Sequence, residues 1–253
     1  MTLDPSLFLL APVVFVAGFI DAIAGGGGLL TVPAYLIVGI PPALTLGTNK
    51  FVSAAGTLVS TGKYIAHGRM LWPVAIVGVA FNLIGSVIGA HWIAQCDQEL
   101  VRRIILIALP IAAGLVLVPK PRNHHEAVLG WRSWRLWVLV PPIAGTLGWY
   151  DGVFGPGTGS LLLLALYGIA GLSFLHAAAT ARWFNLVSNL GSLATFLLHG
   201  QVIFALALPL SLFGIAGHWL GSHVAIKKGD RLVRTMLIVS CALLLGYLLW
   251  NQR

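Results

Sequence analysis

Long apolar stretches, separated by short polar ones, follow one another along the whole chain. A helix needs about 20 apolar residues to cross the hydrocarbon core of a bilayer, so stretches of this length predict membrane-spanning helices. They are continuous rather than alternating, and too long for the strands of a membrane barrel. The predicted spanning segments are residues 7–24, 43–64, 70–94, 100–118, 134–154, 173–198, 202–226 and 232–250.

Two further apolar stretches, residues 29–38 and 160–169, are about half that length. Ten helical residues extend only about 15 Å, which is too short to span a bilayer. Each short stretch follows a break made of small residues. The pattern therefore predicts that a Gly-broken or re-entrant helix pair opens each half of the chain, with re-entrant and fully crossing pairs both left open. The first break is Gly25, Gly26, Gly27 and Gly28, and the second is Gly155, Pro156, Gly157, Thr158 and Gly159.

The two breaks belong to an internal repeat. Gly-Phe-Ile-Asp, ending at Asp21, matches Gly-Trp-Tyr-Asp, ending at Asp151, and after a two-residue insertion the match continues at a constant offset of 132. Such self-similarity predicts a duplicated structural unit. We therefore expect a first membrane repeat at residues 1–118, a linker at 119–133 and a second membrane repeat at 134–253. Matched residues include Thr48 with Thr180, Lys50 with Arg182, Gly85 with Gly217 and His91 with His223.

The charges of equivalent loops indicate how the repeats are oriented. The loop at 63–69 carries Lys63 and Arg69, whereas its counterpart at 195–201 carries no charge. Lysine and arginine accumulate in cytoplasmic loops. If each broken pair makes two crossings or returns to its own face, all the basic loops lie on one side. This predicts inverted repeats, a cytoplasmic linker, both termini outside, and residues 66 and 229 on the same face.

Composition agrees with a polytopic, all-α membrane protein. Of 253 residues, 58% are hydrophobic and 9% are charged, against about 25% charged in soluble domains. A soluble enzyme, a disordered chain and a disulfide-rich secreted module are excluded. The net charge of +8 lies in loops between apolar stretches, so we expect a bilayer rather than nucleic acid as the partner. No metal site or cofactor is predicted.

Inverted repeats with broken helices are typical of secondary transporters, whose substrate site lies near the bilayer midplane. Irregular backbone at that depth must be buried in protein or line a cavity. The free N–H groups of the glycine breaks, together with the N-termini of the short helices behind them, could bind an anion. The alternative is that these glycines only allow close helix packing.

Four charged residues lie inside otherwise apolar segments. Lys50 and Arg182 need a carboxylate, a cavity or an anionic ligand at such depth, unless they extend to the interface. Asp21 and Asp151 could pair with these cations, cap the breaks, or carry protons for coupling. Neutral side chains near the cations would add hydrogen bonds to a bound anion. These are Thr48, Asn49, Asn185 and Asn189.

The residues around the breaks resemble a known family. Gly-Phe-Ile-Asp-Ala-Ile-Ala-Gly-Gly-Gly-Gly-Leu-Leu-Thr-Val-Pro at 18–33 and Leu-Gly-Thr-Asn-Lys at 46–50 are similar to the first-half signature of the TauE/SafE sulfite exporter family. Tyr-Asp-Gly-Val-Phe-Gly-Pro-Gly-Thr-Gly-Ser at 150–160 and Ala-Arg-Trp-Phe-Asn at 181–185 resemble its second half. The resemblance implies a permease of the cell membrane for sulfite, thiosulfate or organosulfonates, with these motifs lining the pathway.

The resulting expectation is a carrier that binds a small sulfur-containing anion between the repeats and moves it by alternating access. Coupling to H⁺ or Na⁺ is left open, as are the direction of transport and the oligomeric state, a homodimer included. Two alternatives remain at this point. One is an intramembrane aspartic protease that uses Asp21 and Asp151 as its acid–base pair. The other is an anion channel with the same site but without alternating gates.

Overall fold

The computed structural model describes residues 5–117 and 129–228, and within these ranges the regular structure is entirely helical. The all-α prediction is confirmed for this part of the chain, and both short helices occur where the glycine breaks predict them. The predicted segment at 232–250 and most of the linker lie outside the described residues. The helices are α1 Pro5–Ala24, α2 Gly28–Ile37, α3 Pro42–Ala66, α4 Trp72–Ala94, α5 Gln98–Leu117, α6 Trp134–Val153, α7 Thr158–Gly168, α8 Phe174–Leu198 and α9 Phe204–Lys228.

The surface of the bundle is that of a membrane protein. Three of the described helices are long and apolar enough to cross a bilayer, namely Leu7–Ala24, Trp72–Ala94 and Phe204–Lys227. Large apolar side chains also project outward. Exposing such area to water costs about 25 cal/mol per Å², so this surface fits lipid. Examples from four helices are Phe8, Ile107, Leu198 and Leu212, each more than half exposed.

The equivalent helices α3 and α8 begin and end at equivalent positions of the duplicated sequence. α3 and α8 both have 25 residues, and each is followed by a His-Gly pair. The glycines of these pairs, Gly68 and Gly200, adopt φ values of +64° and +66°. Glycine reaches this left-handed conformation without steric cost, which ends a helix sharply. The duplicated sequence therefore produces duplicated local structure.

The two halves interlock through closely packed helix pairs. α1 packs on α9 and α4 packs on α6, so the first helix of each half contacts the fourth helix of the other. Glycine permits this approach. A Cβ on Gly217 would lie 2.2 Å from the carbonyl oxygen of Phe15, and one on Gly85 would lie 2.3 Å from that of Gly145. The same interface is thus built twice.

The contacts also give the relative directions of the helices. On α3 and α8, Lys50 Nζ donates to Asn189 Oδ1 at 3.1 Å and Thr61 Oγ1 donates to the Arg182 carbonyl at 3.2 Å. The residue number rises along α3 while it falls along α8. These two sequence-equivalent helices are therefore antiparallel, and they cross at the centre of the molecule.

Neighbouring helices show where the broken pairs lead. Phe15 contacts Gly217 and Phe19 contacts Gly221, so α1 is parallel to α9. Gly214 lies against Val52, and Lys63 donates to the Trp219 carbonyl, so α3 is parallel to α9 as well. α1 and α3 consequently run in the same direction, and α2 between them must return toward the end at which α1 began.

Candidate functional site

The two glycine breaks, one from each half, pack against each other at the centre of the bundle. Ser160 Oγ donates to the Ala24 carbonyl at 3.0 Å. Gly25 has a φ of +84°, and a Cβ on it would lie 2.2 Å from the Ser160 nitrogen. A Cβ on Gly28 would lie 3.1 Å from Pro156 Cα. This contact has no room for a side chain at Gly25, which explains one of the glycines.

Four buried charged residues surround this contact as two crossed ion pairs. Lys50 Nζ lies 2.7 Å from Asp151 Oδ2, and Arg182 Nη1 lies 3.4 Å from Asp21 Oδ2. Arg182 Nη1 also donates to the Asp21 carbonyl. Lys50 is 2% exposed and Arg182 is fully buried. Each cation therefore pairs with the carboxylate of the other half, and the four charges sum to zero.

Hydrogen bonds hold the breaks in shape and leave several donors free. Gly27 N–H donates to Asp21 Oδ1 at 2.9 Å, which fixes the turn that leads into α2. Within residues 5–117 and 129–228, no hydrogen-bond acceptor is found for the N–H groups of Gly26, Gly28 and Gly159. Free N–H groups at helix N-termini favour anions. The breaks therefore present donors beside the ion pairs.

A small polar cavity lies between the breaks. Its volume of about 20 Å³ is space for roughly one water molecule. Both halves contribute to its wall, and the wall contains nine of the fourteen residues predicted to bind substrate as well as both predicted carboxylates. The lining residues are Asp21, Gly26, Gly28, Asn49, Lys50, Ser53, Asp151, Gly155, Gly157, Gly159, Asn185 and Asn189.

Five predicted binding residues do not line this cavity. Thr48 Oγ1 accepts from Ile203 N–H, and Thr158 Oγ1 donates to the Gly155 carbonyl, so both hydroxyls hold backbone in place. Gly25 packs against the second break, and Gly27 faces a neighbouring cavity. The guanidinium of Arg182 lies behind the backbone of Gly159, with Nε and Nη2 free of hydrogen-bond partners among the described residues.

Three polar residues of the site were not among the predicted binding residues. Ser53 lines the central cavity, and Thr31 Oγ1 donates to Asn49 Oδ1. His218 is 3% exposed and lies 3.6 Å from Asp21 Oδ2. A histidine in the middle of the apolar stretch 202–226 is itself a signal, because ionisable groups at membrane depth are rarely structural fillers.

The ion pairs argue against the protease alternative. In an aspartic protease the two carboxylates face each other and share one proton. Here Asp151 faces Lys50, and Asp21 faces Arg182 and His218. The two carboxylates are thus each paired with a basic side chain of the described residues and are not paired with each other, although the geometry of such a dyad requires that pairing.

A family model described as "Sulfite exporter TauE/SafE" matches residues 10–248. The chain belongs to the TauE/SafE sulfite exporter family. A Haemophilus influenzae protein named "Probable membrane transporter protein" is 37% identical over 97% of this chain and 95% of its own length. "Probable membrane transporter protein YfcA" of Escherichia coli K12 is 34% identical, over 98% and 94%. "Probable membrane transporter protein ORF9" of Sinorhizobium sp. is 35% identical, over 89% and 85%.

The family model is that of an exporter and these relatives are named probable membrane transporters, which confirms the prediction that the chain is a membrane transporter and not an enzyme. The match covers both breaks, all four buried charged residues and His218. The centre of the molecule is therefore the candidate transport site of a TauE/SafE protein.

Proposed function

We propose that the protein is a secondary carrier of the cell membrane for a small sulfur-containing anion such as sulfite, thiosulfate or an organosulfonate. The main support for this proposal is the presence of two crossed ion pairs near a polar cavity, Lys50 with Asp151 and Arg182 with Asp21. An anion that enters the cavity replaces the Asp151 carboxylate as the ion-pair partner of Lys50. The free backbone N–H groups of the breaks then donate further hydrogen bonds to the anion. Asn185 and Asn189 supply neutral hydrogen bonds.

The size of the cavity favours a carrier over a channel. About 20 Å³ holds a water molecule but not an oxyanion with several heavy atoms. Because both halves contribute to the wall of so small a cavity, transport of such an anion requires the halves to move relative to each other. Movement of one repeat against the other around a central site is the expected mechanism of alternating access.

The same proposal includes inverted repeats in a multi-pass topology with both termini outside and the linker at 119–133 in the cytoplasm. Antiparallel α3 and α8 support it, because equivalent helices of inverted repeats must run in opposite directions. The shared direction of α1 and α3 supports re-entrant pairs, in which α2 and α7 return toward the face from which α1 and α6 entered.

A labelling experiment tests this topology. With Cys96 and Cys241 replaced by serine, single cysteines at Gly68 and Gly200 are expected to react with a membrane-impermeant maleimide from opposite faces. Gly68 should react only in inside-out vesicles and Gly200 only in intact cells. Because Gly68 and Gly200 are equivalent positions, their reaction from one face would contradict inversion directly.

A binding screen tests the substrate class. A ligand that binds the native state raises its stability by RT ln(1 + [L]/Kd), about 2.7 kcal/mol at 100 times Kd. We expect sulfite, thiosulfate, sulfoacetate or isethionate to raise the melting temperature of the purified protein, and chloride at equal ionic strength to leave it unchanged. Anions that shift the melting temperature should then exchange across proteoliposomes. The proposal fails if none of the four exchanges.

A further inference from the structure

The two halves of the site are not equivalent at one position. His218 on α9 is matched by Ser86 on α4 in the duplicated sequence. Nδ1 of His218 lies 3.1 Å from Ser60 Oγ, and Nε2 lies 3.6 Å from Asp21 Oδ2. On the other side of the molecule Ser192, the equivalent of Ser60, has no hydrogen-bond partner for its hydroxyl among the described residues. Among the described residues, only the Arg182–Asp21 pair therefore has an imidazole beside it.

The imidazole occupies a slot made for it. A Cβ on Gly56 would lie 2.3 Å from Cδ2 of His218, and one on Gly18 would lie 3.1 Å from the same atom. The residue equivalent to Gly56 in the second half is Ser188, so the half that holds the ring has no side chain at the position where one would collide with it. The ring is thus held between α1 and α3 in a fixed orientation.

The slot also has access to water-sized space. A second cavity of about 20 Å³ lies against His218, Asp21 and Gly27. It shares Asp21, Asn49 and Ser53 with the wall of the central cavity. Only the Asp21 side chain therefore separates a proton on the imidazole from the central cavity in which the anion would bind.

The charge of a bound anion must be compensated, and the four charged residues, which sum to zero, cannot do this alone. His218 could supply the missing positive charge. The two ion pairs are neutral together, so a bound anion leaves the buried site with a net negative charge. Asp21 and Asp151 are each already paired with a cation of the other half. Within the described part of the chain, the charged groups around His218 are Asp21 on α1 and, behind it, Arg182 on α8. Lys63 on α3 contacts Trp219 instead of the ring.

We infer that His218, positioned by Ser60 and the Gly18–Gly56 slot, is the proton-binding residue that couples anion transport to H⁺ movement, an inference that rests on the proposed function. A proton taken from water adds a second N–H to the ring. Nδ1–H then donates to Ser60 Oγ and Nε2–H faces Asp21 Oδ2, and the positive charge offsets one negative charge of the anion. When the anion leaves, the proton returns to water, so anion and H⁺ travel together.

Proteoliposomes that contain the full chain and an internal pH dye test the inference. Thiosulfate and isethionate are suitable probes because neither titrates near neutral pH. In the wild-type protein, inward anion flux should be accompanied by internal acidification. His218→Gln should lose at least 90% of the acidification and of uptake driven by a pH gradient, while anion exchange at equal pH continues at a reduced rate that no longer depends on pH. His223→Gln, on the same helix, is the matched control and should behave as wild type.

The outcomes separate the inference from the proposed function. If the wild-type protein exchanges none of the four anions, namely thiosulfate, isethionate, sulfite and sulfoacetate, the proposed function is wrong and the inference is wrong with it. If wild type exchanges an anion without moving protons, or if His218→Gln moves as many protons as wild type, only the inference falls. His218→Ser, which copies the equivalent position in the first half, provides a second variant and should show the same loss of coupling as His218→Gln.

Discussion

Lys50→Ala is expected to abolish anion transport and to lower the free energy of unfolding by about 3–5 kcal/mol. The loss of stability follows because Asp151, 1% exposed, keeps a buried charge without its partner. The loss of transport follows because Lys50 is the cation that lines the central cavity. Thermal melting and proteoliposome exchange measure the two effects. Lys63→Ala, the same substitution near the half-exposed end of α3, should change both only slightly.

A second substitution separates the two effects of Lys50→Ala. In the double variant with Asp151→Asn, no charge remains unpaired, so the melting temperature should return most of the way to that of wild type. Transport should stay absent, because the double variant still lacks the group that binds the anion. Wild-type exchange in Lys50→Ala, or in the double variant, would show that Lys50 serves only to neutralise Asp151.

Arg182→Ala is expected to weaken anion binding by about 2–5 kcal/mol, or at least roughly 30-fold in apparent affinity. Arg182 does not line the cavity in this conformation, but its removal changes the charge of the four-residue cluster from zero to −1. A net negative site repels an anion. Exchange measured against external anion concentration gives the apparent affinity.

The matched double variant of Arg182 should behave differently from that of Lys50. Adding Asp21→Asn restores a neutral cluster, so stability and part of the exchange activity should return. If the apparent affinity stays as low as in Arg182→Ala although melting recovers, Arg182 itself binds the anion when the cavity opens. Unchanged affinity in Arg182→Ala would remove this residue from the site altogether.

Much of the fold could be predicted because apolar length is a local property. The limits of α2 and α7, Gly28–Ile37 and Thr158–Gly168, lie within two residues of the predicted 29–38 and 160–169. Hydrocarbon requires an apolar helical segment wherever the chain crosses it, so the pattern along the sequence reports the helices directly. The duplication likewise needed only a comparison of the chain with itself.

The site was predicted less completely because side-chain partners are not local. Thr48 and Thr158 lie within the predicted motifs, yet their hydroxyls form hydrogen bonds with backbone groups. Neither residue lines the cavity. Arg182 is likewise hidden behind Gly159. Ser53, by contrast, lies one helical turn beyond Asn49 and faces the cavity. Residues of one motif point in different directions, and only packing decides which of them reach the cavity.

The sequence by itself determined that the protein is helical, that it belongs in a membrane, that its two halves are similar to each other, and that four charged residues lie inside apolar segments. Those properties follow from hydropathy and from self-similarity, which need no contacts. Only the tertiary structure decided that Lys50 pairs with Asp151 and Arg182 with Asp21, each across the two halves. It also brought His218 to Asp21, nearly 200 positions away in the chain. These pairings depend on which helices cross and in which direction, and helix packing sets both.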